Sequence, residues 1–85
     1  MTKATVTEIV REGLRGPYCV AFVDDLEDWV TFSLNPPVWH EKNYPEVNDV
    51  VLLSDIRKGA KKRWRAMQAR FFRPQDEKEE NRRQE

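Results

Sequence analysis

The chain has 85 residues, enough for one small domain, and a domain of that size buries only about 60% of the surface its unfolded chain exposes, so it needs a well-filled core. Its formal charge is zero, 15 Lys/Arg against 15 Asp/Glu, and its single cysteine, Cys19, excludes an intrachain disulfide and a cysteine metal cluster. No apolar run approaches the ~20 residues that span a bilayer; with no apolar leader and one thiol, the expectation is a soluble, cytoplasmic chain with no membrane contact.

Residues 3–11, KATVTEIVR, are rich in Thr, Val and Ile and predict a first strand, ended by the breakers Gly13 and Gly16-Pro17. Residues 18–23, YCVAFV, alternate. Cys19, Ala21 and Val23 fall on one face, with Tyr18, Val20 and Phe22 on the other. After the acidic turn DDLED, residues 29–34 alternate again, with Val30, Phe32 and Leu34 opposed to Trp29, Thr31 and Ser33. Two such runs joined by a short polar turn predict a hairpin. Residues 35–49 hold three of the five prolines and predict a long connection with one helical turn near residues 38–41. Residues 50–56, VVLLSDI, predict a fourth strand, followed by a turn over residues 57–61. The tail QDEKEENRRQE has no apolar side chain to bury and is expected to be disordered or loosely helical. The domain is therefore assigned to residues 1–74 and the tail to 75–85.

The charge is sorted along the chain. Residues 1–56 sum to −6, residues 74–85 to −2, and residues 57–73, RKGAKKRWRAMQARFFR, carry eight basic groups and no acidic one. A polyanion meets such local fields rather than the total, because charges are screened over roughly 8 Å at physiological salt. Local propensity makes this segment a helix, with Ala60, Trp64, Met67 and Phe71 at helical spacing. As a strand, it would point Met67, Ala69 and Phe71 inward, with Arg63 and Arg65 extending that row. Four strands leave a sheet with open edges, and a fifth at residues 62–72 would close it into a barrel. The strand is the expectation; a helix docking on a membrane surface or a partner is the alternative.

VTEIV (residues 6–10), GPYCVAFV (16–23), DWVTFS (28–33) and PEVNDVVLL (45–53) together resemble the OB-fold, and within it the S-one RNA-binding domain of ribosomal protein type, with cold-shock and initiation-factor-one-like relatives. The resemblance covers about residues 3–73 and implies an all-β, five-stranded OB-fold barrel. It also implies a nucleic-acid-binding outer face on strands two and three, where aromatic rings stack on bases and cations meet phosphates. Tyr18 matches the family's exposed aromatic on strand two. Thr31 stands where many members have a histidine, and Asn48 where they have glycine, a residue that Asn can replace in a left-handed turn.

These features imply non-catalytic binding of RNA or single-stranded DNA. Tyr18, Phe22, Trp29 and Trp64 are candidates for stacking, with Thr31 beside them, and Lys58, Lys61, Lys62, Arg63, Arg65 and Arg70 for phosphate contacts. Packing beneath the long connection is the competing role for Tyr18, Phe22 and Trp29. The alternative function is protein–protein interaction, the acidic hairpin docking on a larger assembly. His40, the only histidine, has no catalytic neighbour and is assigned to loop surface or packing, and Cys19 to the core as a small apolar side chain. The acidic turn lacks the central glycine and ligand number of a calcium loop. No nucleophile–base pair, phosphate-cradling loop or metal-ligand spacing occurs, so neither enzyme activity nor a cofactor is expected.

Overall fold

The computed structural model describes residues 1–59 and 61–76. Five strands form: β1 (Thr2–Val10), β2 (Tyr18–Val23), β3 (Asp28–Ser33), β4 (Val50–Lys58) and β5 (Trp64–Phe71). They close into a barrel in the order β1-β2-β3-β5-β4, with β4 returning to β1. Neighbours are antiparallel except β3 and β5, which run parallel with Val30 beside Trp64 and Thr31 beside Arg65. The all-β, five-stranded barrel expected from sequence is the fold, and its strand order is compatible with an OB-like architecture. No helix among the described residues is long and apolar enough to cross a membrane.

The basic segment is a strand, not a helix. β5 runs beside β4 from the Val51–Phe71 pair to the Lys58–Trp64 pair. Its other edge is shared. β3 covers the first two residues, and the long connection covers Ala69, whose N–H donates to the Val38 carbonyl at 2.9 Å and whose carbonyl accepts the His40 N–H at 3.0 Å. Closure thereby satisfies ladder groups that an open sheet would leave exposed.

The core follows the alternation read from β2 and β3: Cys19, Ala21, Val23, Val30, Phe32 and Leu34 are all buried. Elsewhere the two-residue repeat breaks. In β1 the register slips between Val6 and Glu8, so Val6 and Ile9, three residues apart, both meet the core. A bulge of this kind bends a strand, and β1 uses the bend to pair with β4 over its first half and β2 over its second.

β5 breaks the repeat too, and this corrects the expected inner row. Ala66 and Ala69 are buried, Phe71 packs against the core, Met67 is 36% exposed, and Arg63 and Arg65 are exposed. Of that row only Ala69 and Phe71 face inward. The hairpin partners show why: the inward pairs are Leu53–Ala69 and Ile56–Ala66, and between them Asp55 takes a left-handed φ of 55°. A left-handed residue interrupts the pleat, and both strands change phase across it. Strand β4 also continues to Lys58, so Arg57 and Lys58, expected in the turn of residues 57–61, belong to the strand. Beyond it the Gly59 N–H donates to the Arg63 carbonyl at 2.8 Å, the Lys62 N–H donates to the Gly59 carbonyl at 3.0 Å, and Lys62 has φ 59°. Asn48 is left-handed as well, φ 78°, as expected of Asn in a glycine position.

The long connection plugs one end of the barrel. A single turn, with the Val38 N–H on the Asn35 carbonyl at 3.1 Å, comes slightly earlier than the expected 38–41. It delivers Trp39, 4% exposed, onto Phe32 in a stacked contact at 5.9 Å between ring centroids and edge-on to Phe71 at 5.0 Å. The indole N–H donates to the Asn43 carbonyl at 2.9 Å, so the buried polar atom is satisfied. His40, beside it, is exposed. Past β5, the Arg70 guanidinium donates to both carboxylate oxygens of Asp76 at 2.9 and 2.7 Å, and Arg73 pairs with Glu41. Of the tail assigned to 75–85, residues 75 and 76 belong to this tethered turn and residues 77–85 lie outside the described residues.

Two outcomes follow from this packing. In urea denaturation Trp39→Ala should cost about 3–5 kcal/mol, because it removes the plug and leaves a cavity under Phe32 and Phe71, whereas Met67→Ala should cost less than about 1 kcal/mol. Burial pushes the Cys19 thiol up to about 11; a thiol-reactive disulfide reagent at pH 8 should label it only after unfolding, and rapid labelling of the native protein would contradict its place in the core.

Candidate functional site

Outward-facing residues of β2, β3 and the start of β5 come together where the turn before β5 folds back over the sheet. They line a groove of about 290 Å³ formed by Val20, Asp28, Trp29, Thr31, Lys62, Arg63 and Trp64. Its floor comes from alternation. Val20 and Thr31 are cross-strand partners on the outer face, and parallel pairing of β3 with β5 brings Trp64 and Arg65 alongside Val30 and Thr31. The Thr31 hydroxyl reaches the Trp64 carbonyl at 3.4 Å, a long contact across that junction.

Two indoles wall the groove. Trp29 is 54% exposed and is braced by Phe22, its cross-strand partner, with centroids 5.1 Å apart and planes at 71°. Edge-to-face packing of this kind orients a ring without burying it. Its backbone N–H is held by the Asp28 carboxylate at 2.8 Å. Trp64 packs against the core on one side of the barrel mouth, and the Lys58 ammonium sits 5.0 Å from its ring centroid. Of the two roles considered for Trp29, burial beneath the connection does not apply, because that connection lies along β5 and the plugged end.

The expected site residues thus divide. Trp29, Thr31, Lys62, Arg63 and Trp64 line the groove, Phe22 braces it, and Lys58 touches its wall through Trp64. Lys61 lies in the same turn and Arg65 follows Trp64 on the surface. Tyr18 shares the outer face of β2 but lies at its far end, paired with Ser33, its ring close to Gly13. Arg70 stands apart: it pairs across β4 with Leu52, and its guanidinium is engaged by Asp76. Val20 and Asp28 are lining residues that the sequence did not single out. Alternation puts Val20 on the right face, but Asp28 reads as part of a solvated acidic turn, and only the register with β5 places its carboxylate opposite a basic one.

Ion pairing sorts the basic segment further. Arg57 pairs with Asp55, Arg70 with Asp76 and Arg73 with Glu41, whereas among the described residues Lys61, Lys62, Arg63 and Arg65 make no ion pair. Within residues 57–73 the described cations without an acidic partner are therefore those at or beside the groove. Such an arrangement offers flat apolar surfaces for stacking and positive charge within reach of them, with no nucleophile–base pair among the lining residues.

This barrel with an aromatic and basic groove was compared with known proteins: no family model, no curated protein and no solved structure matches it.

Among the described residues the one strongly shifted carboxylate, Asp76, belongs to the frame rather than the groove. The Arg70 side chain, and then the Arg73 N–H, hold Asp76 down to about 2. A carboxylate whose folded pKa is depressed adds stability above its unfolded pKa, ~4, and loses it as pH falls toward the folded one. Thermal unfolding followed from pH 5 to pH 2 should show wild type losing more stability across the window between about 4 and 2 than Asp76→Asn; parallel curves would show that the tether contributes nothing.

Proposed function

We propose that this chain binds single-stranded nucleic acid, RNA or DNA, without catalysis, in the groove between Trp29, Trp64 and the turn before β5. The observation that carries the proposal is the meeting in one groove of two partly exposed indoles with Lys62 and Arg63, neither of which is ion-paired within the described residues. Bases stack on aromatic faces at ~1–3 kcal/mol per ring, whatever their identity, and cations alongside neutralise phosphates. A duplex presents its bases stacked and paired, so a ligand that uses these indoles must offer unpaired bases. The resemblance to S-one type RNA-binding domains supports the same face, since Phe22 and Trp29 lie on the outer side of β2 and β3.

Titration of intrinsic tryptophan fluorescence with oligo-U and oligo-dT tests the proposal. Binding should quench or shift the emission, and log K should fall against log salt by about 0.7 for each phosphate neutralised. Replacing Lys61, Lys62 and Arg63 together by Gln should weaken binding and flatten that slope by about 2, while Arg73→Gln, engaged by Glu41, should leave the slope unchanged. No spectral response at low salt from a folded protein would overturn the proposal, and the exposed acidic turn of residues 24–28 would then become the surface to test for protein docking.

A further inference from the structure

Asp28 is an unexpected member of a groove built for a polyanion. A carboxylate repels phosphate, and at this position it could have been neutralised by Lys62 or Arg63, which line the same groove. It makes no ion pair with either. Its Oδ1 accepts the Trp29 N–H at 2.8 Å, which anchors the carboxylate at the start of β3 beside the exposed indole. An ionised carboxylate has about four lone-pair sites over two oxygens, so this one hydrogen bond leaves acceptor capacity on both.

Resting on the nucleic-acid binding proposed above, we infer that Asp28 makes the groove selective for guanine. The electrostatics orient the ligand. Phosphate belongs with Lys62 and Arg63, and the edge of a base stacked on Trp29 belongs with Asp28. Among the four bases only guanine carries two adjacent donors, N1–H and the N2 amino group, on its Watson–Crick edge. They match the two oxygens of a carboxylate. Adenine and cytosine each offer one donor beside a ring acceptor, and uracil one donor between two acceptors, so each would set a lone pair against the carboxylate. Unpaired bases expose this edge to side chains, which is how single strands are read. At about 290 Å³ the groove lies at the small end of the ~300–1,000 Å³ typical of ligand clefts, a size for one nucleotide rather than several.

The test compares binding of the full chain to the RNA pentamers UUGUU, UUAUU, UUCUU and UUUUU, and to UUGUU with inosine in place of guanosine. UUGUU should bind tightest, by about five- to a hundred-fold over the others, as expected for a good two-point contact to a base edge. The inosine pentamer, which lacks the N2 amino group, should lose most of that advantage. Asp28→Asn keeps an oxygen to accept the Trp29 N–H but turns the other into a donor; it should bind all pentamers with similar affinity. Equal binding of all pentamers by the wild-type chain, or guanine preference that persists in Asp28→Asn, would overturn this inference while leaving single-strand binding intact. Failure of every pentamer, and of its DNA counterpart, to bind would overturn the binding itself.

Discussion

The parallel contact of β5 with β3 is the junction on which the rest of the molecule depends. It spans two residue pairs, Val30–Trp64 and Thr31–Arg65, yet it turns an open five-stranded antiparallel sheet into a closed barrel. Without it β3 and β5 would present open edges, and the inward rows of β2 and β3 would have nothing opposite them. The long connection supports the same closure from the other end, where Trp39 packs between Phe32 and Phe71 and the chain beside it bonds to Ala69. A small domain has few places to bury surface, and this one places a tryptophan at the barrel end to complete its core.

That junction also makes the groove. Trp29 and Trp64 are 35 residues apart in the chain, and they meet because β3 and β5 run side by side. The hairpin of β4 and β5 carries the basic turn to the same place. Acidic residues from elsewhere pair with the basic segment selectively: Asp55, Glu41 and Asp76 each take one arginine outside the groove. Arg70 and Arg73 so engaged tie the end of β5 to residue 76 and to the connection, and the cations of the basic segment left without an acidic partner among the described residues lie at the turn or beside the groove. Zero net charge therefore coexists with a local positive field, and the proposed binding draws on the field rather than the total.

Much of the hairpin is legible in the order of amino acids alone. The alternation in YCVAFV and WVTFSL predicts which side chains of β2 and β3 face inward, because a strand repeats every two residues and both segments are regular. The positions where expectation and structure differ lie where the backbone leaves that repeat. Met67, expected in the core, is on the surface because Asp55 on the neighbouring strand takes a left-handed conformation and the hairpin changes phase there. No local signal at Met67 reports the conformation of a residue twelve positions earlier. Trp39 sits in a proline-rich connection whose sequence carries no periodicity, and its burial depends on how far one turn at Asn35 carries the chain across the barrel end.

By itself the sequence determined the first four strands, the inner and outer faces of the β2–β3 hairpin, and the sorting of charge into an acidic body and a basic segment, since each is written in short-range periodicity or in composition. It left the basic segment between helix and strand, because propensity there favours the helix. The tertiary structure decided that question, because only pairing with β4, β3 and the connection satisfies the backbone of β5 while closing the core. It also decided which charges are paired and which line the groove. Proximity between residues far apart in the chain follows from strand order and register, and neither is encoded at any single position.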